Sequence, residues 1–250
     1  MLIEALILLC LLGAAVVFIA PSRHAPKLAL GVSIPPLLVS LYLLFAFDGS
    51  GNALLGGDIA YETFAEWLQL GPYAVNYHVG LDGISLPLVV LSTVLTTLSI
   101  LSAWTPIDER QSEFYGLVLF LEGSLIGVFA ALDFLLWFVF WEAVLIPMYL
   151  LIGVWGGPRR KYAAIKFFVY TNIASLVMFI GYFALVFGLG DAVSSTGMPA
   201  VAEALRAGQL SYLGTPDVGI APDTLAMAAF LAMFVGFAVK VPIVPFHTWL

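Results

Sequence analysis

The chain has 250 residues, 62% of them hydrophobic and only 10% charged, with a mean hydropathy of +1.06 and a formal net charge of −7. A soluble domain of this length is about a quarter charged because its surface must be wetted, so nine Lys and Arg exclude an ordinary water-soluble fold. The acidic balance argues against a nucleic-acid partner, and the single Cys10 excludes a disulfide framework or a cysteine-based metal site.

Seven apolar segments of spanning or near-spanning length follow in order, at Leu2–Ala20, Leu28–Phe47, Ile84–Trp104, Phe114–Ala131, Phe134–Trp155, Ile165–Leu189 and Leu225–Leu250. They define an all-α, polytopic membrane protein. The first segment lacks a basic n-region, carries Glu4 and is apolar for too long to be a signal peptide, so it reads as a retained helix. Pro21 and Pro26 bracket the first loop, Pro106 follows the third segment, and Gly156, Gly157 and Pro158 close the fifth. Asp133 immediately precedes the fifth segment, where it reads as an N-cap, with a proton-handling role as the alternative.

Lys and Arg are confined to one set of loops. Arg23 and Lys27 lie in the first, Arg110 in the third, and Arg159, Arg160 and Lys161 in the fifth, with Lys166 just beyond. The second loop (Asp48–Gly83) and the fourth have none, and the sixth has only Arg206. The odd loops are therefore expected in the cytoplasm and the N-terminus outside. The second and sixth loops are long and Gly-rich, with acidic residues such as Asp58, Glu62, Glu66, Asp217 and Asp223. Short interfacial helices are expected within them at Tyr61–Leu70 and Met198–Ala207.

The informative residues are ionisable groups inside apolar segments, where a charge costs at least about 2.5–3.5 kcal/mol and is usually shielded, paired or functional. Glu142 stands nine positions after Asp133, about 13 Å along a helix and hence near mid-membrane. It is either a proton-exchanging carboxylate or a lock between helices. Lys240 lies well inside the seventh segment and is followed by Pro242 and Pro245, which remove backbone donors and are expected to break that helix. Broken helices at membrane depth line cavities or bind ions. Burial disfavours an ammonium, so a lysine at such a break exchanges its proton at moderate cost; the alternative is snorkelling to an interface. Glu122 is helix glue or a proton-transfer group. Lys166 reads as snorkelling or functional, and His247 as a relay group or a locally bonded side chain. Together these groups suggest a line of protonatable sites between the fifth and seventh segments. No nucleotide loop, haem ligand set or iron–sulfur ligand cluster is present in the sequence.

Four stretches carry a resemblance. Phe140-Trp-Glu-Ala-Val-Leu-Ile-Pro-Met-Tyr-Leu-Leu-Ile-Gly-Val-Trp-Gly157 resembles the fifth helix of the antiporter-like subunits of respiratory complex I, the M subunit (chain 4 in mitochondrial naming) being the nearest type. Asp82-Gly-Ile-Ser-Leu-Pro87, Ala164-Ile-Lys-Phe-Phe-Val-Tyr-Thr171 and Ala238-Val-Lys-Val-Pro-Ile-Val-Pro-Phe-His-Thr-Trp-Leu250 agree with it, in the family's order. The resemblance implies proton pumping through a glutamate and a lysine at the positions of Glu142 and Lys240, with Lys166 and His247 also on family motifs. It implies no cofactor in this chain, and quinone, iron–sulfur clusters and a flavin or its equivalent on partner subunits of the membrane-bound assembly. The expected setting is the plasma (inner) membrane of a prokaryote.

The family has about fourteen helices with two inverted five-helix repeats. By that pattern residues 1–104 are the N-terminal three helices and 105–250 an incomplete first repeat. Because the sequence stops at Leu250 inside the seventh segment, it is expected to be the N-terminal piece of a larger protein. Other readings are the related D-type subunit of a multisubunit sodium/proton antiporter, the membrane arm of a hydrogenase complex, and an inert structural subunit.

Overall fold

The computed structural model describes residues 2–47, 57–211, 213 and 219–250; Asp217 and part of the second loop lie outside the described residues. Helices α1 (Leu2–Ile19), α2 (Ala25–Phe45), α3 (Ser85–Ser102) and α4 (Gln111–Ala130) form the first four spans. The fifth span is two helices, α5 (Phe134–Ala143) and α6 (Leu145–Trp155), and the sixth is the 30-residue α7 (Arg160–Leu189). A short α8 (Met198–Arg206) lies in the sixth loop, as the sequence predicts, and α9 (Pro222–Lys240) is the seventh span. Seven helical stretches among the described residues are thus long and apolar enough to cross a bilayer. Helices suit that solvent because they satisfy every backbone group internally, and exposed Leu12, Ile19, Leu38 and Ile180 leave an apolar outer surface.

Several sequence boundaries shift. Pro26 falls in the first turn of α2, where its missing N–H costs nothing, so the first loop is shorter than the prolines suggest. The sixth span begins at Arg160, which places Lys166 two turns inside it. The seventh span ends at Lys240 and continues as turns, in keeping with a break at Pro242 and Pro245.

One expectation fails. Tyr61–Leu70 is a strand, not a helix: β1 (Ala60–Leu70) pairs antiparallel with β2 (Tyr73–Leu81), with Leu70 opposite Tyr73. Glu62 and Glu66 suit a helical face, but Tyr61, Thr63, Phe64 and Trp67 favour a pleated strand. Gly71, at φ +60°, makes the two-residue link. On β2, burial and the nearby Glu4 charge push the Tyr77 phenol above its ordinary pKa.

The hairpin knits the even loops together. Ala74 N–H donates to the Ser194 carbonyl (2.8 Å), and Thr196 N–H returns to the Ala74 carbonyl (3.0 Å). Leu132 N–H meets the His78 carbonyl, and Met198 N–H meets the Leu132 carbonyl, both at 2.8 Å. At the opposite end the Ser112 hydroxyl joins the first loop at the Ala20 carbonyl, and the Trp155 indole donates to the Glu109 carbonyl. Even loops therefore share one end of the bundle and odd loops the other, as alternate crossings require.

Close approach sets how α4 meets α5 and α7 meets α9. A Cβ on Gly127 of α4 would sit 2.3 Å from the Phe140 ring of α5, and one on Gly236 of α9 would sit 2.5 Å from Met178 Cβ of α7. Small residues at such crossings let helices pack tightly where no hydrophobic driving force exists.

Candidate functional site

Asp133 anchors the fifth span. It is fully buried, and its Oδ1 accepts from Leu135 N–H at 2.9 Å, the predicted cap. Its Oδ2 accepts from Asn76 N–H of the hairpin (3.1 Å), and the Thr196 hydroxyl donates to the same carboxylate at 2.8 Å. A carboxylate surrounded by donors is held as a structural acceptor. From this fixed start α5 carries Glu142 into the span.

The fifth span breaks two residues after Glu142. Pro147 has no N–H for the Ala143 carbonyl, and its ring clashes with that carbonyl, so α5 ends at Ala143 and α6 starts at Leu145. Glu142 is half-buried, and its Oε2 accepts from Asn172 Nδ2 of α7 at 2.8 Å. Its Oε1 is buried with no hydrogen-bond partner among the described residues. Next to it, the Trp141 indole donates to the Ser175 hydroxyl at 3.1 Å.

Lys240 reaches the same point from α9. Its Nζ donates to the Trp141 carbonyl at 3.4 Å and lies 4.6 Å from the centroid of the Trp141 ring, within cation–π range. Phe237, one turn earlier, packs edge-on against Trp141 with centroids 5.8 Å apart, and Trp141 stacks on Trp137 at 4.6 Å. Glu142 and Lys240 form no ion pair within 4.0 Å among the described residues.

The end of α9 is satisfied in place. Ile243 N–H takes the Ala238 carbonyl that Pro242 cannot serve (2.9 Å), Val241 N–H takes that of Phe237 (2.8 Å), and the Trp249 indole takes that of Val239 (2.8 Å). These partners satisfy the Phe237, Ala238 and Val239 carbonyls where the helix stops beside apolar surroundings.

The remaining candidates divide. Lys166 donates to the Thr248 carbonyl, tying α7 to the chain beyond α9, so it is engaged and not merely extended to solvent. His247 is exposed on that same chain. Glu122 is fully buried in α4, and neither carboxyl oxygen has a hydrogen-bond partner among the described residues; the Cys10 thiol of α1 lies beside it. The arrangement thus gathers Glu142 with Lys240, places Lys166 and His247 on the basic side, and sets Glu122 against α1. Sequence reading missed Asn172, Trp141 and Ser175. The signal was there: Thr171, Asn172 and Ser175 put three polar groups into one turn of an apolar span. Among the described residues no group of three or more His, Cys, Asp and Glu side chains could hold a metal ion.

Residues 131–250 match the family model described as NADH:quinone oxidoreductase/Mrp antiporter, and residues 61–128 match that of the amino terminus of NADH-ubiquinone oxidoreductase chain 4. The chain is 36% identical over 249 residues to F(420)H(2) dehydrogenase subunit M of Methanosarcina mazei, covering 98% of this chain and 46% of that protein. It is 39% identical over 235 residues to NADH-quinone oxidoreductase subunit M of Rhodobacter capsulatus, covering 92% and 42%. The chain therefore spans less than half the length of these curated relatives. A chain of respiratory complex I from Thermus thermophilus superimposes with a TM-score of 0.78 at 27% identity, over 100% of this chain and 46% of that one. The archaeal membrane-bound sulfane sulfur reductase shares the fold, with a TM-score of 0.72 at 18% identity over 98% and 34%. This chain belongs to the antiporter-like membrane subunits of NADH:quinone oxidoreductases, of the subunit M or chain 4 type.

Proposed function

We propose that this chain belongs to a proton-translocating membrane-arm subunit of a complex I-like donor:quinone oxidoreductase, in which Glu142 and Lys240 carry the proton. The observation behind this reading is their meeting at Trp141. Among the described residues Glu142 has one oxygen held by Asn172 and one buried oxygen without a hydrogen-bond partner, while Lys240 donates to the Trp141 carbonyl and lies over its ring. Opposite charges stabilise each other when close, so a conformational step that separates the two releases a proton and one that joins them captures it. Lys166 and His247 are assigned to relay on the basic side, and Glu122 to a proton-holding position apart from the pair. Residues 1–104 supply three flanking spans and residues 105–250 belong to the first antiporter-like repeat. Quinone, iron–sulfur clusters and a flavin or its equivalent are assigned to partner subunits. The setting is the plasma membrane of a prokaryote, with the odd loops cytoplasmic because they carry nearly all loop cations.

The test is Glu142→Gln in the assembled complex. Loss of proton pumping with assembly intact supports the reading, whereas loss of assembly makes Glu142 a structural lock. A second reading, a subunit of a multisubunit cation/proton antiporter, is favoured by the shared description of the family model over residues 131–250. Gentle purification from native membranes separates the two. A large particle with iron–sulfur absorbance is expected, and a smaller colourless one would favour the antiporter.

A further inference from the structure

A cavity of about 380 Å³ runs inward from the even-loop end of the bundle. At that end it is lined by Asp82, Ser85, Leu132 and Met198, all in or beside the even loops. The Asp82 carboxylate accepts from the Ser85 amide at 2.7 Å, and the Ser85 hydroxyl accepts from the Asp82 amide at 2.9 Å. The Tyr182 phenol, also in the lining, donates to the Thr196 carbonyl at 3.0 Å. The hydroxyl and carboxyl groups of the lining are thus all bonded at the even-loop end. Deeper in the membrane the lining becomes Met233, Trp137 and Phe237.

Trp137 and Phe237 stand between this cavity and the charged pair. Trp137 is one turn from Trp141 along α5, and Phe237 is one turn from Lys240 along α9. Three rings meet there. Trp137 stacks on Trp141 at 4.6 Å, while Phe237 lies 5.8 Å from Trp141 and 6.1 Å from Trp137 between centroids, the range of packed aromatic pairs. On their far side Lys240 Nζ is 4.6 Å from the Trp141 ring, and the Trp141 indole donates to Ser175. An indole N–H donates without accepting, and a phenyl ring has no hydrogen-bonding group. None of the three rings can hand a proton on. Core packing accounts for touching rings, but not for their placing between a cavity with a polar end and a buried Glu and Lys.

We infer that Trp137, Trp141 and Phe237 form a seal that keeps Glu142 and Lys240 from exchanging protons with the even-loop side. Water enters the cavity from that side and stops at the rings. A proton released by the pair therefore does not escape into the cavity, as a water-excluding wall prevents such leakage. Trp137 and Phe237 carry no proton themselves; they act by position. The inference rests on the reading of Glu142 and Lys240 as the proton-carrying pair.

The first measurement labels the native assembly in vesicles with a membrane-impermeant methanethiosulfonate added on the even-loop side, read by mass spectrometry of the labelled peptide. Met233→Cys, within the cavity, should react. Ser175→Cys, beyond the rings, should react only when Phe237→Ala is added. This readout needs no pumping, so it still tests the seal if Glu142→Gln leaves pumping intact and the pair reading fails. The second measurement is the collapse of an imposed pH gradient across vesicles holding the idle assembly. Phe237→Ala should collapse it roughly a hundredfold faster, the rate equivalent of hydrating one charge at membrane depth. Adding Glu142→Gln should restore the slow collapse, and Phe237→Leu, which keeps apolar bulk, should stay slow. Should Phe237→Ala not assemble, Trp137→Ala opens the same seal from α5. A Met233→Cys that stays unlabelled, a Ser175→Cys that reacts with the rings intact, or a gradient that opening the seal does not move overturns the inference. A leak that persists with Glu142→Gln overturns it too, because the rings would then guard another route.

Discussion

Replacing Asp133 by Ala tests whether this carboxylate is a structural hub or a proton carrier. It is fully buried and serves three donors on three chain segments: the Leu135 and Asn76 amides and the Thr196 hydroxyl. Losing an N-cap costs about 1 kcal/mol, and each further buried donor left unmet costs about 1–3 kcal/mol. The hydroxyl can rotate, so the sum is about 3–5 kcal/mol. The loss should be local. Amides that bridge the even loops, those of Ala74, Leu132, Thr196 and Met198, should exchange hydrogen at least a hundredfold faster, while α1 and α4 keep their protection. Asp133→Asn, which keeps Oδ1 but turns a donor toward Asn76 N–H, should cost about 1–3 kcal/mol. Hydrogen exchange followed by mass spectrometry, with thermal unfolding in mild detergent, reads both variants. Unchanged protection at those four amides together with lost proton pumping would refute the hub and make Asp133 a proton carrier.

Asn172→Leu removes the only hydrogen-bond donor described for Glu142 and should abolish pumping in proteoliposomes while the assembly survives; unchanged pumping would show that Asn172 does not position the carboxylate. Pro147→Ala restores an N–H for the Ala143 carbonyl, so residue 147 should gain amide protection and the pumping rate should fall as the break closes. Gly127→Ala forces a Cβ to within 2.3 Å of the Phe140 ring and should cost about 1–3 kcal/mol as overpacking, read as a lower unfolding temperature in detergent.

The spans were legible because each has a long apolar run, and Asp133 because a capping residue stood just before one of them. Glu142 and Lys240 were legible because charge is rare at membrane depth. Tyr61–Leu70 was misread because Glu62 and Glu66 have helical spacing, whereas the strand is held by a partner, Tyr73–Leu81, that no local pattern specifies. The break of the fifth span was visible as Pro147, but proline alone does not say whether a helix bends or stops. Asn172 was overlooked because it is neutral, and its value lies in facing Glu142, a fact of packing between α5 and α7. The link of Lys166 to Thr248 joins residues 82 positions apart, beyond the reach of any spacing rule.

The two breaks explain why the charged pair meets where it does. In an uninterrupted fifth span the Trp141 carbonyl would receive the N–H of Leu145, but the helix stops at Ala143 and that carbonyl accepts from Lys240. Lys240, in turn, is the last residue of α9 because Pro242 follows it, and the carbonyls around that end are taken by Val241, Ile243 and Trp249. One proline thus frees an acceptor beside Glu142, and the other ends a helix at a donor facing it. A proline inside a helix costs about 3 kcal/mol or more, and lipid supplies no water to offset the loss. Packing alone would be better served by two unbroken helices. Both interruptions make physical sense if the groups they expose at Trp141 must be able to part and rejoin, and an ion pair already closed within 4 Å could not do so as readily.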